Sequence, residues 1–230
     1  MSNIVGLCGN SNVGKSTSLK YLNPEETFII SCTNKQLQIP GFRKKYKKVS
    51  VENGELKGNW FVSTSYPAIQ KILKILDNKR KDIKVLVIDD ANYLLSKETF
   101  DGALDKGYEK FTIQAKNYVD LINSLQELRD DLTVVFISHI ENYGTDIDPE
   151  YRLWTTGKML TSKTNLDGLF SYLIYAEKYE EDDEVKYRFR TKGNINDTCR
   201  SVEGCFDSKY IEPNMKMVID TINAFENADS

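Results

Sequence analysis

The chain has 230 residues, with 31 Lys and Arg against 34 Asp and Glu, a formal net charge of −3. A composition of 40% hydrophobic and 28% charged residues excludes a disordered chain, and at this length one substantial core can form. No run of about 18 apolar residues occurs, which excludes a membrane-spanning helix, and the mild acidity argues against a protein that coats nucleic acid through bulk charge.

The chain begins with Met-Ser-Asn and passes into an apolar run without a basic leader region, so no secretory signal is expected. Cys8, Cys32, Cys199 and Cys205 form no C-x-x-C pair and there is one histidine, so they read as reduced thiols of a cytoplasmic protein rather than as a zinc site. Apolar runs at Ile4–Cys8, Thr27–Cys32, Ile83–Asp89 and Leu132–Ser138 predict buried strands, the third an unbroken β-branched run suited to the centre of a parallel sheet. Between them, Ile69, Ile72, Leu73 and Leu76 fall on one helical face, as do Tyr118, Leu121, Ile122, Leu125 and Leu128. This alternation predicts βαβ units in an α/β fold. The segment 41–60 is rich in Gly and Lys and predicts a small hairpin around Asn53-Gly54. Residues 141–167 have little apolar periodicity and are expected to form a long mobile loop. An antiparallel pair follows within 169–192, its two strands flanking the acidic turn 180–183; Val185, Tyr187 and Phe189 alternate with cations as in a half-buried strand. A closing helix carries Met215, Val218, Ile219, Ile222 and Phe225, and all 230 residues are expected to form a single domain.

Chemistry enters with Gly9-Asn10-Ser11-Asn12-Val13-Gly14-Lys15-Ser16-Thr17, a full match to G-x-x-x-x-G-K-[ST] between an apolar strand and a helical stretch, Thr17–Leu22. Its glycines let backbone N–H groups wrap phosphate oxygens; Lys15 would contact the β and γ phosphates and the Ser16 hydroxyl would bind Mg²⁺. ATP and Mg²⁺ are therefore the expected cofactors. Asp89 closes the strand Val85-Leu86-Val87-Ile88 and would share the Mg²⁺ with Ser16. Asp90 stands where an acid orients attacking water, or else caps the turn that follows. Thr27–Cys32 is expected to lie between the phosphate-loop strand and the Asp89 strand, an arrangement that suits ATPases which split water rather than small-molecule kinases. His139 follows a strand end and would sense the γ-phosphate. Arg190 and Lys192, one residue apart along a strand, would reach a phosphate in a neighbouring subunit, or else form a solvated strand end. Basic residues beside aromatics at 43–48, and the lysines of 158–163, suit a single-stranded nucleic acid track or a solvated face.

GNSNVGKST, FIISCTNKQLQIPGF, KVLVIDDANYL, FISHIE, TTGKML and the closing TKGNINDTCRSVEGCFDSKYIEPNM span nearly the whole chain. Together they resemble the bacteriophage RecA-like ATPases of the AAA type, the group that includes phage single-strand annealing and recombination ATPases. The resemblance implies a RecA-like phosphate-loop core with a mainly parallel sheet and DNA-stimulated ATP hydrolysis in the host cytoplasm. It also implies single-stranded DNA as a partner and a homo-oligomer, ring or filament. It puts His139 at the sensor position, residues 141–167 on the DNA-facing loop, and Arg190 and Lys192 at the subunit interface. One departure is visible: the catalytic glutamate such recombinases carry at the end of the second strand has no counterpart in Ser31-Cys32-Thr33-Asn34, leaving Asp90 or Glu141 for that task. A nucleotide or nucleoside kinase, and a nucleotide-binding module without hydrolysis, are the alternatives.

Overall fold

A computed structural model describes residues 1–101, 109–155 and 165–228. Among them, eight strands form one sheet in the order β12-β11-β10-β1-β7-β6-β2-β5. The strands are β1 (Ile4–Cys8), β2 (Thr27–Ser31), β5 (Trp60–Val62), β6 (Val85–Asp89), β7 (Thr133–Ser138), β10 (Tyr172–Glu181), β11 (Glu184–Arg190) and β12 (Tyr210–Ile211). From β10 to β5 neighbouring strands run parallel, while β10–β11 and β11–β12 are antiparallel. The α/β class and the mainly parallel sheet are those the sequence predicts.

The position of one strand is corrected. The strand between β1 and β6 is β7, and Thr27–Ser31 lies on the far side of β6. A strand does separate the phosphate loop from Asp89, but it is the one that ends at His139. Sequence order cannot reveal this, because parallel crossovers let chain neighbours sit apart in the sheet.

Alternation along each strand sorts the core into two layers. Cys8, Phe28, Ile88 and Phe136 face α2 (Tyr66–Lys79), α3 (Asn92–Asp101) and α4 (Glu109–Gln126). Val5, Leu7, Ile29, Val87 and Ile137 face the opposite side, where α1 (Phe42–Lys45) and α5 (Met215–Glu226) pack. In α2, the Ser65 hydroxyl accepts the Ala68 N–H and Pro67 sits in the first turn, both favourable at a helix start. Its buried Ile69, Ile72, Leu73 and Leu76 each contribute about 1.5–3 kcal/mol of transfer free energy. The stretch after the phosphate loop, Ser16–Tyr21, is a 3-10 helix.

The Asn53-Gly54 hairpin forms as β3 (Ser50–Glu52) and β4 (Glu55–Lys57), with both turn residues at positive φ, 51° and 78°. Residues 141–167, expected to form a long mobile loop, carry ordered structure in their described part. β8 (Ile140–Asn142) pairs antiparallel with β9 (Tyr151–Leu153), and a 3-10 turn spans Asp167–Leu169. Charged contacts hold this small hairpin: Glu141 meets Arg152 at 3.2 Å, and the Arg152 guanidinium stacks 3.5 Å from the Tyr143 ring centroid. The lysines of 158–163 lie outside the described residues. In β11 only the Phe189 end is buried; Val185 and Tyr187 are exposed because the β10–β11 hairpin runs past the end of β1, which stops opposite Tyr175. All four cysteines are buried free thiols. No helix among the described residues is long and apolar enough to cross a membrane.

Candidate functional site

The C-terminal ends of β1, β2, β6 and β7 open together onto a cleft of about 570 Å³. Such a sheet edge, where loops replace strands, is the usual ligand position in open α/β sheets. The phosphate loop and the start of its helix, Ser11 to Thr17, line the cleft together with Asp89, Asp90 and His139.

The loop's shape depends on residues that tolerate unusual backbone angles. Asn12 and Gly14 are left-handed, at φ 60° and 88°, which lets successive N–H groups turn toward a common centre. Gly9, at φ 155°, lies so close to β10 that a Cβ there would stand 2.4 Å from the Ala176 carbonyl oxygen. On the outer side a Cβ on Gly14 would stand 3.6 Å from the exposed Tyr187 ring of β11. The loop therefore rests on the projecting β10–β11 hairpin. Gly9, Asn10, Ser11, Asn12, Val13, Gly14 and Lys15 form a loop that runs into the 3-10 helix at Ser16 and Thr17, and Ser11 to Thr17 line the cleft.

Lys15 is buried, and its ammonium donates to the carbonyls of Gly9 at 2.8 Å and Asn10 at 2.7 Å. Burial lowers its pKa to about 8, against the opposing pull of Asp90. The Ser16 hydroxyl donates to Asp89 Oδ1 at 3.1 Å, bridging the loop to the end of β6. Asp89 is buried, and desolvation together with the neighbouring Asp90 charge raises its carboxyl to about 7, partly offset by the Ser16 bond. A half-buried hydroxyl and a buried carboxylate in contact, beside a second carboxylate, are hard oxygen donors that fit Mg²⁺. Among the described residues no group of three His, Cys, Asp or Glu side chains could cage a metal by itself. A magnesium ion held at Ser16 and Asp89 would then complete its shell from water and phosphate, as this ion prefers.

Asp90 has φ 57°, a conformation an L side chain adopts at a cost. Its carbonyl accepts the Tyr93 N–H, while its carboxylate accepts no N–H of the helix start among the described residues. Released from the helix start, the carboxylate faces His139, whose Nε2 lies 3.8 Å from Asp90 Oδ1. Burial and the nearby Lys15 charge lower the His139 pKa, which favours a neutral imidazole. The His139 carbonyl accepts the Trp154 N–H at 2.9 Å, tying the end of β7 to the chain leaving β9. Glu141 stands outside the cleft lining; its Oε1 accepts from Arg152 and from Thr155 at 2.9 Å.

The cations expected to reach across a subunit interface are placed otherwise. Arg190 is 3% exposed and fully engaged within its own chain: its Nε bonds Glu177 at 2.5 Å and its Nη2 bonds Asp197 at 2.8 Å. Lys192 is exposed, with its ammonium 3.4 Å from the Asp207 carbonyl oxygen. The pair does not project together, because Arg190 points into the layer beneath Tyr175, 5.0 Å from that ring's centroid.

The cleft also contains residues that belong to neither motif. Thr33, Lys35, Gln36 and Gln38, from the chain leaving β2, line it together with Tyr93. The Thr33 hydroxyl oxygen is buried without a hydrogen-bond partner. The available signal was positional: Thr33-Asn34-Lys35 follows a parallel strand at the same sheet edge as Asp89 and His139.

No curated protein sequence matches the chain. Among solved structures it is similar to a KaiC-like protein of the hyperthermophilic archaeon Pyrococcus horikoshii OT3, with 14% identity and a TM-score of 0.47 over 82% of this chain and 77% of that one. Residues 1–202 match the family model described as an AAA domain, and the chain belongs to that family.

Proposed function

We propose that the chain binds Mg²⁺-ATP at the phosphate loop, hydrolyses it, and couples this to action on single-stranded DNA as a homo-oligomer in recombination, annealing, repair or replication. The observation that carries the nucleotide reading is the 3.1 Å bond between Ser16 and Asp89 beneath the loop, which joins the two motifs at one point. In this reading the loop's N–H groups and Lys15 hold the β and γ phosphates, Lys15 exchanging its bonds to Gly9 and Asn10 for phosphate oxygens. Magnesium, when bound, neutralises charge on the phosphates. Asp90 orients the attacking water. A bond forms from its oxygen to Pγ while the bond from Pγ to the β–γ bridging oxygen breaks, the electron pair leaving with ADP and the water proton passing to solvent by way of Asp90. The neutral His139 beside Asp90 reads the γ-phosphate and passes its state through Trp154 to the segment after β9.

Wild-type protein is expected to hydrolyse ATP faster with single-stranded DNA, and to sediment as a larger species when both are present. Lys15→Ala is expected to lower nucleotide affinity at least tenfold in a direct binding assay; unchanged affinity would remove the site assignment. A second reading, a module that binds ATP without turnover, is favoured by the absence of a glutamate at the end of β2. Single-turnover hydrolysis at high protein concentration separates the two.

A further inference from the structure

We infer that Lys35 is the cation that meets the γ-phosphate, supplied from the same chain's β2 edge rather than from a neighbouring subunit. The inference rests on the ATPase reading above and assigns the charge that reading lacks. Phosphoryl transfer spreads negative charge over the three γ oxygens, and a cation placed there is worth about 10³–10⁵ in rate where it has been measured in related chemistry. Arg190 cannot serve, being sealed between Glu177 and Asp197. In the described lining of the cleft the lysines are Lys15 and Lys35, and Lys15 belongs to the loop.

The position of Lys35 is built into the sheet. Ser31 pairs with Asp89, and the Cys32 N–H donates to the Asp89 carbonyl at 3.0 Å, so the chain leaves β2 beside the carboxylate that closes β6. Leu37 and Ile39, both buried, then pin the far side of the turn, leaving the exposed Lys35 between two fixed points. Lys35 makes no hydrogen bond or ion pair among the described residues, so its ammonium can swing to an incoming phosphate without breaking a contact. Its charge bears on Lys15, Asp89 and His139, all of which line the same cleft. During hydrolysis it would forge no bond; it would hold γ oxygens while the Pγ bridge bond breaks and ADP leaves with the electron pair.

The test compares wild type, Lys35→Ala and Lys35→Arg. In single turnover with saturating Mg²⁺-ATP, Lys35→Ala should lose at least a hundredfold in rate while its ADP affinity stays within about threefold, and Lys35→Arg should recover most of the rate. A wild-type rate in Lys35→Ala, or a loss of rate matched by an equal loss of ADP affinity, would overturn the assignment. Mixing Lys35→Ala with Lys15→Ala subunits tells the same chain from the neighbour: an inactive mixture is expected, and restored activity would show that Lys35 acts across an interface. Should wild type bind ATP without turnover, hydrolysis itself is refuted, and Lys35 is then judged by binding. The preference for ATP over ADP should fall about tenfold in Lys35→Ala, and an unchanged preference overturns the inference.

Discussion

Asp89 shows how a single residue is held in an unfavourable state for use. Its carboxylate is buried beside a second carboxylate, with one hydroxyl bond in partial compensation, so its pKa in the folded chain rises to about 7. The sign follows directly: a carboxyl whose folded pKa exceeds its unfolded value costs nothing while protonated in both states. The cost grows as pH rises from about 4 through about 7. A bound cation would relieve that cost. Asp89→Asn, which keeps the shape and removes the charge, should therefore stabilise the magnesium-free protein at pH 8 by roughly 1–3 kcal/mol, several degrees in Tm. At pH 5 the advantage should shrink. Thermal melts in a chelating buffer at both values decide it, and equal melting of the two proteins at pH 8 would show that Asp89 carries no such penalty. The same variant should lose the stabilisation that Mg²⁺-ATP confers on wild type.

At the scale of elements, the β10–β11 hairpin ties the sheet edge to the phosphate loop, and Arg190 ties the hairpin down. Its guanidinium is shared by Glu177 on β10 and Asp197 in the following segment, and the Asp197 side chain is only 2% exposed. Arg190→Met would leave the buried Asp197 carboxylate without its cation, while Glu177 keeps Arg188, a loss of about 3–5 kcal/mol measurable as a lower urea midpoint. A drop below about 1 kcal/mol would make Arg190 free enough to reach a neighbouring subunit after all. This residue also marks the limit of sequence reading. Strand-end cations read as projecting because alternation predicts a side, but not whether that side is solvent or a covered layer holding two acids. Four of the parallel strands, β1, β2, β6 and β7, were legible to within two residues because continuous apolar runs such as Val85–Ile88 have few alternative structures, whereas the short β5 was not foreseen. The β8–β9 hairpin was not, since its strands are held by Glu141, Arg152 and Tyr143 rather than by apolar alternation. The motif residues Lys15, Ser16 and Asp89 were legible for a different reason: phosphate and metal chemistry restrict residue type and spacing. Lys35 obeys no such spacing rule, and only the sheet places it in the cleft.

For the molecule as a whole, a net charge of −3 leaves no uniform attraction to DNA, so the proposed binding would have to come from a local concentration of cations. The segment 43–48 is such a place, and the structure decides what kind of contact it can make. Phe42 and Tyr46 are buried and stacked with centroids 5.1 Å apart, and Trp60 meets Phe42 edge-on at 4.9 Å. These rings anchor α1 to the core and are not free to stack on bases. Arg43, Lys44, Lys45, Lys47 and Lys48 remain exposed around them. Contacts there would be to phosphates, without preference for sequence and strongly weakened by salt. Replacing Lys44, Lys45 and Lys47 together by alanine leaves the buried anchors untouched and should preserve folding and nucleotide affinity. Single-stranded DNA affinity should fall, and the slope of log K against log salt should flatten by about 2, at roughly 0.7 for each phosphate that is no longer neutralised. Fluorescence anisotropy with a labelled oligonucleotide over a salt series measures both. If affinity and slope match wild type, this surface is only solvated, and DNA contact must be sought at the segment following β9, to which His139 is joined through Trp154.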